Sequence, residues 1–220
     1  MLWDGVQVTL AVAVTAMALA LVCGMIGAWA KLSSNRIVHT TANIYTTVIR
    51  GIPELILILI VYYGMPTLIQ DSLELYGIDY IIDINPFIAG FMTLGVIYGA
   101  FATEVFRGAY HAVDKGQIEA AKAVGMNRML LAWRILLPQM WRFALPGLGN
   151  VWVVMIKATA LISVIQLPEL LRNSDIAARA VHAPFTFYFA ASLYYLAIVT
   201  VSMMLQRRAE AWASRGVRQA

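Results

Sequence analysis

Cysteine is nearly absent from this chain. Cys23 stands alone inside an apolar run, so the sequence forms no intrachain disulfide and no cluster of thiolate metal ligands. Its expected role is that of a small packing residue. Charge is scarce too: charged residues make up 13% of 220 positions against 61% hydrophobic, with a mean hydropathy of +0.74. No soluble domain of this size normally carries that balance, which makes the chain an integral membrane protein. His39, His111 and His182 lack Asp, Glu or Cys neighbours at ligand spacing, so no metal site is expected. No Gly-x-x-x-x-Gly-Lys-Ser/Thr phosphate loop occurs, so the chain does not itself hydrolyse ATP. The net charge of +4 has no basic stripe interleaved with aromatics, which argues against nucleic acid. Without an internal repeat or low-complexity linker, residues 1–220 read as a single domain.

The long apolar runs are what remain. A bilayer core of about 30 Å needs about 20 apolar residues per helix. Segments near 6–30, 48–69, 86–107, 143–165 and 184–206 meet that length, giving an all-α, polytopic protein with five transmembrane helices. Pro53, Pro86 and Pro184 lie near span starts, where a missing N–H costs least. The first span contains Ala28-Trp29-Ala30, in the form of a signal-peptide cleavage site. However, Asp4 with no nearby Lys or Arg, and the length of the run, mark it as a retained helix.

Lys31 and Arg36, then Arg107, Lys115, Lys122, Arg128, Arg134 and Arg142, then Arg207, Arg208, Arg215 and Arg218 make alternate connections basic. The 70–85 connection holds Asp71, Glu74, Asp79 and Asp83 with no Lys or Arg. The positive-inside rule therefore sets the N-terminus outside and the C-terminus inside. Trp3 and Trp141 near span ends fit the interfacial aromatic belt.

The connection near 108–142 contains Glu119-Ala120-Ala121, then Gly125, and after nine further residues Ile135-Leu-Leu-Pro138. Ile118, Ala121, Lys122 and Gly125 share a helical stripe whose small members allow another protein surface to approach closely. This pattern resembles the EAA loop of bacterial ABC-importer permeases, the cytoplasmic coupling helix that docks on the ATPase. With Tyr45-Thr-Thr-Val-Ile-Arg-Gly-Ile-Pro-Glu54, Thr103-Glu-Val-Phe-Arg-Gly-Ala109, Ala144-Leu-Pro-Gly-Leu-Gly-Asn150 and Lys157-Ala-Thr-Ala-Leu-Ile-Ser163, the chain is similar to the amino-acid branch of the MetI-like permease family over nearly its whole length. The likeness is strongest to Q-type subunits of histidine, lysine/arginine/ornithine and arginine importers. It implies alternating access in the bacterial inner membrane, a heterodimer with an M-type permease, two copies of an ATP-binding subunit carrying ATP and Mg, and a periplasmic amino-acid-binding protein. It implies no cofactor bound by this chain. Expected coupling residues are Glu119, Ala120, Ala121, Gly125, Ile135 and Pro138.

Charges inside spans are costly, at roughly 2.5–3.5 kcal/mol each on insertion scales. Lys157, about 14 residues into the fourth span, shares a face with Asn150. It is a candidate to hold a substrate carboxylate, with an interhelical ion pair or an outward-snorkelling lysine as alternatives. Glu104 precedes Arg107 by three residues and Glu54 follows Arg50 by four, spacings that favour local ion pairs, while either carboxylate is also a candidate contact for a cationic substrate. Thr159 and Ser163 complete the candidate substrate pathway. Gly95-Val-Ile-Tyr-Gly99 permits close helix contact, read here as dimer packing. Pro146, Gly147 and Gly149 are expected to set the angle at which the chain enters the fourth span.

Basic amino acids or histidine are the expected substrates, with glutamine, other polar amino acids or opines as alternatives. A secondary transporter or channel would account for the spans but leaves the EAA stretch unexplained. A membrane enzyme would need a catalytic constellation that the spans lack.

Overall fold

The computed structural model describes residues 1–213; Arg215 and Arg218 of the basic tail lie outside the described residues. Among the described residues every regular element is helical. Five helical segments are long and apolar enough to cross a membrane: Leu2–Lys31, Glu54–Glu74, Pro86–Ala112, Arg128–Ile165 and Pro184–Ala213.

Helix α1 (Leu2–Lys31) and helix α5 (Pro86–Ala112) form the spine. Their seam is made of small residues. A Cβ at Gly24 would lie 2.6 Å from that of Ala102, and one at Gly99 would lie 2.6 Å from the Cβ of Cys23. One at Gly95 would run into Leu19. The Gly95-x-x-x-Gly99 pair is therefore consumed by α1 of the same chain, not by a dimer partner, because the approach it allows is already occupied. The core around this seam holds Val12, Ala16, Ala20, Leu94, Ile97 and Tyr98.

The second span departs from expectation. Residues 48–51 belong to a separate helix, α2 (Arg36–Gly51), whose N-cap Asn35 accepts from the amides of Ile37 and Val38. Ile52 is extended (φ −102°, ψ 136°), since the residue before proline is driven out of the helical region, and Pro53 starts the chain afresh. The crossing segment is α3 (Glu54–Leu59), a π turn at Ile60–Gly64, and α4 (Met65–Glu74).

After α5 come the short helices α6 (Lys115–Ala123) and α7 (Arg128–Leu131), a second π turn at Ala132–Leu136, and α8 (Leu137–Ala158), which runs on as a 3₁₀ turn over Thr159–Ile165. Both π turns end two residues before a proline, Pro66 and Pro138. Proline offers no N–H to the preceding turn and its ring crowds the carbonyl four residues back, so a locally widened turn relieves both. Pro146 is taken inside α8 without ending it.

Helix α9 (Leu170–Val181) lies between the last two spans, and α10 (Pro184–Ala213) completes the bundle. Ala191 is the one buried residue of α10; Phe185, Phe189 and its leucines face outward, as suits a helix set against lipid or another subunit.

Candidate functional site

Two regions carry chemistry. The first is the connection from Val113 to Pro138. Asp114 caps α6 by accepting from the Gly116 amide at 2.6 Å, and α6 ends in a paired turn: the Gly125 amide bonds the Lys122 carbonyl and the Met126 amide bonds the Ala121 carbonyl, both at 3.0 Å. Gly125 has φ +80°, a left-handed conformation that side chains disfavour. A Cβ there would touch nothing within 4 Å. Its glycine is thus demanded by backbone conformation, and the open space beside it leaves the backbone of this turn accessible. Ala121 is buried against the rest of the chain, whereas Glu119, Ala120, Ala123 and Val124 face out.

Asn127 caps the next turn through the Leu130 amide at 2.8 Å, and Gln139 donates to Gln117 at 2.6 Å, tying α6 to the start of α8. Ile135 is half-buried and Pro138 exposed. Within this polar connection Val124 is 74% exposed, Met129 72% and Trp133 66%, so the loop presents apolar side chains that nothing among the described residues covers.

The second region lies among the spans. Glu104 accepts from Arg107 Nε at 2.9 Å, as its spacing suggested, and also pairs with Lys31 at the last turn of α1, a partner 73 residues away. Glu54 and Arg50, expected as a pair, are separated by the break at Ile52–Pro53. Glu54 instead accepts from the Tyr98 hydroxyl at 2.9 Å, and the Arg50 guanidinium lies 5.0 Å from the Phe101 ring centre. Asn150 and Lys157 are both exposed on α8, on a face that also shows Pro146 and Val154. No carboxylate lies within ion-pair distance of Lys157 among the described residues. Ser163 is half-buried. Thr159 is fully buried and its hydroxyl bonds the Ile156 carbonyl at 2.6 Å, so it sits inside the bundle, away from Lys157.

Sequence reasoning missed Glu169, 1% exposed and N-cap of α9. It accepts from the amides of Leu171 (2.9 Å) and Arg172 (2.7 Å), from the Tyr195 hydroxyl (3.0 Å) and from Thr9 (3.4 Å), while the Thr9 hydroxyl in turn accepts from the Leu170 amide. Burial pushes its carboxyl above the usual range, opposed by these four donors. Leu-Pro-Glu-Leu followed by an amphipathic stretch was the one sequence signal for this cap.

A bundle of five apolar spans with buried charges and a capped loop of bare apolar side chains is a membrane transport subunit. More particularly, the chain belongs to the family of inner membrane components of binding-protein-dependent transport systems, whose model matches residues 10–215. It is 44% identical over 209 residues to the histidine/lysine/arginine/ornithine transport system permease protein HisQ of Salmonella typhimurium, covering 93% of this chain and 91% of that one. It is 43% identical to the octopine transport system permease protein OccQ of Rhizobium radiobacter, covering 96% and 89%. Among solved structures, an amino acid ABC transporter with histidines superposes with a TM-score of 0.82 at 30% identity, over 96% of this chain and 92% of the other. The chain has the MetI-like fold and is a permease rather than an enzyme, working in a bacterial membrane with an ATPase and a binding protein.

Proposed function

We propose that this chain is the permease subunit of an importer for basic amino acids or histidine, paired with an M-type permease and served by two copies of a cytoplasmic ATPase that binds ATP and Mg. A periplasmic binding protein delivers the substrate. The relatives of 44% and 43% identity, named for histidine, lysine, arginine, ornithine and octopine transport, support the substrate class, and octopine keeps opines as the second reading. The alternate basic connections support a periplasmic N-terminus and a cytoplasmic C-terminus, so that α6 and α7 meet the ATPase.

The observation that carries the coupling role is the exposure of Val124, Met129 and Trp133 on the basic connection between α5 and α8. Apolar side chains left bare there mark a protein interface. ATP-driven closure of the ATPases moves α6 and α7 and, through the continuous run into α8, switches the bundle between inward-open and outward-open. Substrate then passes the face of Asn150 and Lys157, where an ammonium at span depth attracts an amino-acid carboxylate, while Glu54 brings negative charge for a cationic substrate; Glu104 is already neutralised by Lys31 and Arg107.

The test is reconstitution of the chain with its ATPase, second permease and binding protein. ATP-dependent uptake of labelled arginine, lysine or histidine is expected. Uptake that proceeds without any ATPase would overturn the reading in favour of a secondary transporter.

A further inference from the structure

Helix α2 has a polar face that the role proposed above leaves unused. Arg36, Thr40, Asn43, Thr47 and Arg50 recur at intervals of four, three, four and three residues, which places them on one stripe. This helix is not lying on the membrane surface. Tyr45 donates to the Val96 carbonyl at 2.6 Å, and Val96 stands ten residues into α5, about 15 Å from its first residue. Arg50 rests on Phe101, also well inside α5. At that depth a polar stripe has no stable exposure to lipid tails, so it faces water or another subunit.

The stripe ends at a pocket of about 390 Å³ lined by Lys31, Thr46, Thr47, Arg50, Phe101 and Glu104. Its charges do not balance. Glu104 is committed to Lys31 and Arg107, and Arg50 has no carboxylate within 4.0 Å among the described residues. Arg50 is therefore the pocket's uncompensated charge. It is exposed, its guanidinium carbon lies over the Phe101 ring at 5.0 Å from the centre, and Thr47 stands exposed beside it. A guanidinium fixed in this way matches an oxyanion in two-point geometry.

We infer that the polar face of α2 is one wall of the inward-opening water path and that Arg50 is an anion subsite on it, taking the α-carboxylate of the departing amino acid. The inference rests on the importer reading and extends it to the release step. The subsite lies on a different helix from Lys157, and near the Lys31 end of the bundle, which that reading sets toward the cytoplasm.

The experiment uses the assembled complex, nucleotide-free, with L-arginine and L-histidine and their carboxamides as probes. Wild-type complex should bind each amino acid about tenfold or more tightly than its carboxamide, the effect of a charged hydrogen bond. Arg50→Gln should reduce that preference to about twofold, Arg50→Lys should restore part of it, and stimulation of ATP hydrolysis by the loaded binding protein should persist in both. An unchanged preference in Arg50→Gln overturns the subsite. So does failure of Arg50→Gln to assemble with the second permease, which would make Arg50 a subunit contact. A binding defect reproduced in wild type by removing anionic phospholipid would mean that Arg50 holds a lipid headgroup, and also overturns it. A wild-type complex that ignores the loaded binding protein refutes the importer reading itself, and is told apart by appearing before any substitution is made.

Discussion

Lys31 and Glu104 pair across the seam between α1 and α5, joining the last turn of one helix to the inner part of the other, with Arg107 on the second carboxylate oxygen. The Lys31 side chain is only 8% exposed, so the pair stands largely outside water. Lys31→Met leaves Glu104 still compensated by Arg107 and should destabilise the chain by about 1.5–3 kcal/mol, the scale of a lost charged hydrogen bond. Thermal unfolding of the purified complex measures it. Lys31→Arg, which keeps the charge, should recover most of the loss, and a Lys31→Met variant that melts with wild type would show the pair to be energetically idle.

Gly125 answers to backbone conformation. With φ +80°, any L side chain costs about 1–2 kcal/mol there, and a β-branched one more. Gly125→Val should insert normally but unwind the end of α6, weakening ATPase association and stimulated hydrolysis. Gly125→Asn, which tolerates the left-handed region, should retain most coupling. Equal coupling in the Val and Asn variants would contradict a conformational cause.

Lys157 has no carboxylate partner among the described residues and is exposed on α8. Lys157→Met should therefore leave the melting temperature unchanged. Substrate interaction should weaken by about 1.5–3 kcal/mol, the scale of a charged hydrogen bond. Uptake and melting temperature measured on the same variant separate a substrate contact from an ion pair with the second permease, whose loss would lower stability instead.

Glu169 makes stability depend on pH with a definite sign. Burial raises its carboxyl above the ordinary value of 4.5, so the folded state holds the proton more tightly than the unfolded chain does. Its contribution is fully present below about pH 4.5 and is lost as pH rises through the raised folded value. Glu169→Gln, neutral throughout, should remove this slope, so that the variant gains on wild type as pH increases from 4.5 upward. Melting curves across that range test it, and parallel curves would exclude titration of Glu169.

What the residues disclosed in one dimension depended on how far apart the partners lie. The spans follow from local hydropathy, and the pairing of Glu104 with Arg107 follows from spacing within one turn. The Lys31–Glu104 bond joins residues 73 apart, and Glu169 meets Thr9 160 residues away, so neither leaves any periodic trace. The Gly95–Gly99 pair announced close contact but not with what, and α1 took it. Pro53 misled in another way. Its first-turn preference was legible, yet the extended Ile52 before it divides the segment and removes the Arg50–Glu54 pair that a continuous helix would have made.

The run from Arg128 to Ile165 counts 38 residues without a loop, roughly 55 Å of nearly continuous helix. One end bears the bare side chains Met129 and Trp133; Lys157 lies near the other. Such a rod can tilt as a seesaw. A tilt of about 5° about its middle swings the Met129 end by about 2.5 Å over a half-length of about 28 Å, and Lys157, about 16 Å from the middle, by about 1.4 Å, which still exceeds the slack of a hydrogen bond. Pressure on the loop therefore need not be passed from side chain to side chain to alter what Lys157 can reach. The π turn at Ala132–Leu136 and Pro146 within α8 are the points where the rod is softest, and stiffening either would change how much of the stroke arrives.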